Sequence, residues 1–124
     1  MPFRYERDDI KRRVVVTFQG AYQTADGLAV LERHRMEDVG SYSVLYDVLG
    51  WTEPPILADL RLFMSEESTI STDKSRGPIA ILAKDPNMYA MACAYAALGG
   101  SKLNIRVFRE RAEGDTWLSA QCKR

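Results

Sequence analysis

Few side chains in this sequence could carry chemistry, and they stand apart from one another. His34 is the only histidine, and imidazole matters because it transfers protons near neutral pH and ligates zinc. It sits between Arg33 and Arg35, with no second histidine and no cysteine pair at ligand spacing. A metal centre needs three or four such ligands, and an acid–base or nucleophile set needs a matching partner. His34 therefore reads as a solvated residue on the outer face of a helix, and no metal site, catalytic set or cofactor is predicted. Cys93 and Cys122 are the two cysteines, too few for a disulfide framework in a chain with an ordinary core. The expected compartment is the cytoplasm.

Three further residues fall near the end of one apolar strand, where α/β sheets bind ligands. Asp47 lies within V-L-Y-D-V-L at 44–49, and an acid there must find hydrogen-bond partners or suffer desolvation. A structural hydrogen bond or helix cap is the leading reading, and a ligand-binding carboxylate is the other. Trp51 precedes Pro54 and Pro55, placing it to rim a pocket or to seal one end of the core. Thr52 stands where it would cap or approach a helix N-terminus, a place that also favours a phosphate. Asp47, Trp51 and Thr52 are thus the candidate ligand-binding residues. The Ser/Thr-rich stretch Ser65 to Ser75 reads as an exposed mobile loop, open to modification.

Composition limits the function classes. The chain has 124 residues, 46% hydrophobic and 27% charged, enough for one domain, 1–124, with one core. Its 17 Lys and Arg balance 17 Asp and Glu, so no net field draws it to nucleic acid, and no basic stripe with interleaved aromatics suggests binding one. The N-terminal M-P-F-R-Y-E-R-D-D has no apolar core of a leader, and no apolar run reaches bilayer-spanning length. Neither secretion nor membrane insertion is expected.

The elements that must position these residues can be read from period and punctuation. Phe3 to Glu6 forms a short strand, Asp8-Asp9 turns, and the β-branched run in Arg13 to Phe18 forms an interior strand. Thr24 caps a helix from about Ala25 to Val39 whose arc is Leu28, Leu31, Met36 and Val39, with Gly40 ending it. Val44 to Leu49 is a strand closed by Gly50, and Ile56, Leu57, Leu60, Phe63 and Met64 recur at helical spacing. Glu66 to Gly77 reads as helix end and loop. Ile79 to Ala83 is a buried strand, Asp85-Pro86 opens a third helix, and Gly99-Gly100 closes it. Asn104 to Arg109 is the last strand, and a helix bearing Trp117 and Leu118 locks onto the sheet. The order ββαβαβαβα predicts an α/β domain with a mixed five-stranded sheet, an N-terminal antiparallel hairpin and helices packed on it.

The third helix is unusual because Pro86 to Ser101 contains no charged residue. Met88, Met91, Tyr95 and Leu98 run along one side, and Ala90, Cys93, Ala94 and Ala97 along the other. One side should meet the sheet, and the other should be an apolar patch of the kind that marks an interface. A homodimer with Met88, Met91, Ala94, Tyr95 and Leu98 at or beside its interface is the expectation.

Four strings carry a resemblance: V-L-Y-D-V at Val44 to Val48, P-I-A-I-L at Pro78 to Leu82, I-R-V-F-R at Ile105 to Arg109, and W-L at Trp117-Leu118. In this order and spacing the chain resembles the SpoIIAA-like, or STAS-type, superfamily, in an uncharacterised branch related to CRAL-TRIO-like lipid-binding domains. Anti-sigma-factor antagonists of that superfamily carry a D-S-S-G-like string after the third strand, with a phosphorylated serine. Here L-G-W-T-E-P-P stands in its place and offers only Thr52, so the resemblance does not bring the phosphorylation switch with it. Nor does it bring the arginine of a G-M-A-R-like string, because this chain reads A-M-A-C at Ala90 to Cys93. The expected function is a non-catalytic binding or interaction module, homo-oligomeric and not an enzyme. The alternative is a carrier of a small apolar or lipid-like ligand, suggested by the CRAL-TRIO relationship and by the Met, Tyr and Trp residues free to line a cavity.

Overall fold

Val14, Val16 and Phe18 alternate with Arg13, Val15 and Thr17, a period of two that gives a strand one wholly apolar face. The computed structural model, which describes residues 3–70 and 75–121, builds a sheet around that strand. Its elements are β1 (Phe3–Asp8), β2 (Arg13–Gly20), α1 (Thr24–Glu37), β3 (Ser43–Trp51), α2 (Leu57–Ser68), β4 (Ile79–Leu82), α3 (Pro86–Gly99), β5 (Ile105–Phe108) and α4 (Arg111–Gln121). The strands lie in sequence order, with β1 antiparallel to β2 and every later pair parallel. This is the mixed sheet and the ββαβαβαβα order expected from the sequence.

Each parallel step moves one strand in the same direction, and right-handed crossovers then put α1, α2 and α3 on one face. That face holds the larger core, in which Val14, Val16, Val44, Tyr46, Val48, Ile79 and Ile81 of the strands meet Val30, Leu60, Phe63 and Ala92 of the helices. The opposite face is smaller. There Leu118 of α4 packs on Leu45, Ala80 and Leu82, with Val15, Phe108 and Trp117 at the edge. Arg13 ties α4 down from β2, donating to Ser119 Oγ at 3.3 Å and lying 3.5 Å from Asp115.

Several boundaries depart from the sequence reading. α1 begins with Gln23 at the cap and no side-chain cap bond, and it ends at Asp38 in the left-handed region rather than at Gly40. Thr24 does not cap; its hydroxyl donates to Asp59 Oδ2 of α2 at 3.0 Å, beside Tyr22 at 2.8 Å. Because α1 stops at Glu37, its inward stripe is Val30, Leu31 and His34. Met36 is 78% exposed and Val39 enters the core from beyond the helix. α2 starts at Leu57 with Ile56 and Leu57 exposed, and it continues through Glu66 and Glu67 to Ser68. By contrast α3 starts as expected, with Asp85 accepting the Asn87 and Met88 amides and Pro86 at the first helical position. It ends at Gly100, whose φ of 56° favours a residue without Cβ. Among the described residues no helix is long and apolar enough to cross a membrane.

Leu118 has no exposure and is the deepest side chain of α4. Leu118→Ala should lower the unfolding free energy by about 2–5 kcal/mol in urea titration. A loss under about 1 kcal/mol would mean that α4 contributes little to the fold.

Candidate functional site

One irregularity decides what the end of β3 presents. Thr17 pairs with Asp47, but Gln19 pairs with Gly50, so β3 carries one extra residue between those points. The bulge leaves an amide without a ladder partner, and Asp47 Oδ1 accepts it from Leu49 N at 3.0 Å. It also reverses the side-chain alternation. Without it, Trp51 would share the face of Leu45 and Asp47; with it, Trp51 pairs with Gly20 and turns to the face of Val48 and Phe18. Gly50 is required here, since a Cβ would lie 2.6 Å from the Phe18 carbonyl oxygen. It therefore lies within the strand and does not close it.

Beneath α1, α2 and α3 that re-aimed indole borders a cavity of about 70 Å³, bounded by Phe18, Val48 and Ile81 of the sheet and by Leu31, Phe63 and Met91 of the helices. Trp51 packs against Phe18 with centroids 4.6 Å apart, and edge-on to Tyr22 at 5.1 Å. Gly27 keeps α1 close to α2, for an added Cβ there would lie 2.7 Å from the Phe63 ring. Among the described residues, Trp51 Nε1 is the buried side-chain nitrogen or oxygen with no hydrogen-bond partner. Such an unmade bond costs about 1–3 kcal/mol.

Tyr46, Glu67 and Tyr95 also border the cavity, and their polar atoms bond to one another. Glu67 is 1% exposed. Its Oε1 accepts from Tyr46 at 3.2 Å and Tyr95 at 3.0 Å, and its Oε2 accepts from Arg76 at 3.0 Å. Arg76 also donates to the carbonyls of Glu67 and Gly40. The same network reaches the helix face of β1, where His34 lies 3.1 Å from Tyr46 and 2.9 Å from Tyr5. The directions of these bonds follow from the carboxylate, which only accepts. Tyr46 therefore donates to Glu67 and accepts from His34 Nε2–H, leaving Nδ1 to accept from Tyr5. Burial pushes Tyr46 and Tyr95 well above the usual phenol range, with the Glu67 charge second. Burial and Glu37 raise Tyr5 to about 12.

These positions correct several expectations. His34 is not on a solvated face but 1% exposed within the network, because it lies one turn after Val30 and Leu31, on the side of α1 that packs on the sheet. Asp47 is half-buried and serves the bulge, which is the structural hydrogen bond that led its readings; it does not border the cavity. Thr52 is exposed and bonds back to the Gly20 carbonyl through its amide, whereas Ile56 holds the α2 cap position. Of the three candidates only Trp51 reaches the cavity. Within Ser65 to Ser75, Ser65 to Ser68 belong to α2 and Thr69 bonds to Glu66, while 71–74 lie outside the described residues, as does Cys122. In α3, Met88 and Tyr95 are buried in the core and cannot meet a partner; Met91 and Ala94 are half-buried, and Leu98 is exposed. Glu67, Arg76 and Tyr46 were missed as site residues. The only hint of Glu67 was its spacing, four residues after Phe63 and three after Met64 on the inward face of α2.

No family model and no curated protein matches the sequence. Among solved structures the chain is similar to an uncharacterised protein of the DUF3478 family with a SpoIIAA-like fold from Shewanella loihica PV-4. The TM-score is 0.62 at 13% identity, over 94% of this chain and 91% of that one. The fold is therefore SpoIIAA-like, as the sequence resemblance implied.

Burial, followed by the positive charge of Arg76, pulls His34 from 6.5 down to about 4. The unfolded chain takes up this proton below pH 6.5 and the folded chain only below about 4, so in that window stability rises with pH. The contribution is complete above pH 6.5, is lost as pH falls to 4, and amounts to about 3 kcal/mol. His34→Gln, which cannot titrate, should flatten that part of the curve in urea melts across pH. Equal slopes in wild type and variant would contradict a neutral buried imidazole.

Proposed function

We propose that this chain is a non-catalytic binding module that holds a small apolar molecule in the cavity beneath α1, α2 and α3. The observation that carries this reading is the lining of that cavity. Its walls are aliphatic and aromatic, and the three polar side chains Tyr46, Glu67 and Tyr95 already bond to one another. A general acid or base must reach the substrate proton, and each of these groups is turned to a neighbour instead. The kinship between SpoIIAA-like and CRAL-TRIO-like domains supports the same reading. The cavity is about half the roughly 150 Å³ of an engineered apolar cavity that takes benzene, so it suits a few enclosed heavy atoms. Cytoplasmic placement and the lack of a nucleic-acid partner stay with this proposal on the grounds of composition.

Native mass spectrometry after gentle purification should show a reproducible small apolar mass on the wild type and its loss from Val30→Phe, which fills the cavity. A wild type carrying no such mass, and not stabilised by small apolar probes in thermal melts, would overturn the reading.

A second reading rests on the outer face of α3, where Ala90, Cys93, Ala97 and Leu98 are exposed on a helix without a single charge. Leu57 and Leu62 of the neighbouring α2 are exposed as well. We propose that the chain pairs with a second copy through the outer face of α3, since an exposed apolar helix face on a folded domain is the kind of surface that marks an interface. Light scattering at high micromolar concentration should give a dimer mass for the wild type and a monomer mass for Ala97→Glu. A monomeric wild type, or a dimer indifferent to that charge, would defeat the pairing.

A further inference from the structure

β1 is an edge strand with a free row of backbone groups. It pairs with β2 on one side, in unbroken register from Phe3 opposite Phe18 to Asp8 opposite Arg13. Which groups are free follows from β2. Ser43 N donates to the Arg12 carbonyl and Thr52 N to that of Gly20, so the even residues of β2 face β3, and Arg13, Val15 and Thr17 face β1. Their partners Asp8, Glu6 and Arg4 bond inward, which turns the N–H and C=O of Phe3, Tyr5 and Arg7 outward. Natural edges are commonly closed by a proline, a bulge or a covering element. β1 reads F-R-Y-E-R-D, without a proline, and its register is unbroken. The helices are set back from it. His34 reaches Tyr5 of β1 on one side and Tyr46 of β3 on the other, which centres α1 above β2, and α4 packs over β3 and β4 on the opposite face.

The charges of β1 select what fits that edge. Arg4 and Glu6 lie on the face away from α1, with side chains 70% and 58% exposed. A second copy related by a two-fold axis runs antiparallel, and the residue on the axis fixes every other pair. An axis at Arg4 sets Arg4 against Arg4, and one at Glu6 sets Glu6 against Glu6. An axis at Arg7 sets Arg7 against Arg7 and Glu6 against Asp8. An axis at Tyr5 instead sets Arg4 against Glu6 twice, Tyr5 against Tyr5, and Phe3 against Arg7, whose charge is already met by Asp9 and Glu37. In that register the outward groups of Phe3, Tyr5 and Arg7 meet those of the second copy. Arg4 and Glu6 then form the non-hydrogen-bonded pairs, where side chains lie closest.

We infer that β1 is a self-pairing edge: two copies join antiparallel about a two-fold axis at Tyr5, with Arg4 of each opposite Glu6 of the other, in one continuous sheet. The contact is independent of the pairing proposed through α3, which packs beside β5 at the far end of the sheet. Five residue pairs bury less than the roughly 1,200 Å² of a stable interface, so this contact is transient and fills near millimolar concentration.

The test uses the Ala97→Glu chain, in which α3 pairing is blocked, with wild type beside it. On dilution from millimolar concentration at low salt, the amide protons of Phe3, Tyr5 and Arg7 should shift while those of Arg4 and Glu6, bonded to β2, hold still. In an isotopically mixed sample the Arg4 and Glu6 α-protons of different copies should show a direct contact, which reads the register. Arg4→Glu and Glu6→Arg each make both pairs like-charged, so either alone should weaken association at least about tenfold. An equimolar mixture of the two variants should pair again, and the double variant should restore the parent behaviour. No concentration dependence at β1 would overturn the inference. So would single variants that associate like the parent, or an α-proton contact in another register. In wild type, shifts confined to α3 would support the pairing proposed above and overturn this one, and shifts confined to β1 would do the reverse. The α-proton contact needs no substitution in β1, so it decides the matter even if a charge variant fails to fold.

Discussion

A carboxylate in a low-dielectric interior must be surrounded by donors, and meeting that demand for Glu67 sets the relative positions of most of the helical layer. Glu67 comes from α2, Tyr46 from β3, Tyr95 from α3, and Arg76 from the segment leading into β4. Through Tyr46 the network takes in His34 of α1, and through His34 it takes in Tyr5 of β1. Five elements and one connection thus share a set of directional bonds in a core that apolar packing alone would leave freer to slide. Losing one partner of such a buried pair typically costs about 3–5 kcal/mol, because the other is left charged and unpaired. This polar chain also forms the floor of the cavity, so the groups that order the fold are the ones already bonded to one another there.

The strand order explains where the cavity lies. In open α/β sheets ligands sit where the strand order reverses and neighbouring helices diverge to opposite faces. Here the order is sequential from β1 to β5, so there is no reversal and the first three helices crowd onto one face. The cavity arises within that layer, where Gly27 stands against Phe63 and the β3 bulge brings in Trp51. The opposite face has only α4. Arg13 and Leu118 hold that helix over β3 to β5, leaving the hairpin end of the sheet without a covering helix.

Much of the architecture follows from local rules that the sequence displays openly. The period-two runs around Val14, Val44 and Ile79 define strands, Asp85-Pro86 marks a helix start, Gly99-Gly100 marks a helix end, and alternation of strand with helix dictates parallel pairing. Asp47 was also legible as an acid needing a bond, although not as the acceptor of a bulge amide. The interior polar network was not legible, because its members lie at 5, 34, 46, 67, 76 and 95 and no spacing in sequence links them.

His34 shows the physical reason most clearly. Between two arginines it looks solvated, yet it lies one turn after Leu31, and packing on the sheet turns that side of α1 inward. With Val39 outside the helix and Met36 exposed, the buried stripe of α1 is Val30, Leu31 and His34. Trp51 depends in the same way on a single inserted residue, since one step along a strand reverses every side chain beyond it. Periodicity and punctuation determined which segments are helix or strand and whether they pair parallel or antiparallel, while the order of strands across the sheet came from the tertiary structure. Phase, meaning which face each polar side chain takes, was decided by tertiary structure, because a one-residue bulge reverses it along a strand and packing across elements chooses which side of a helix turns inward.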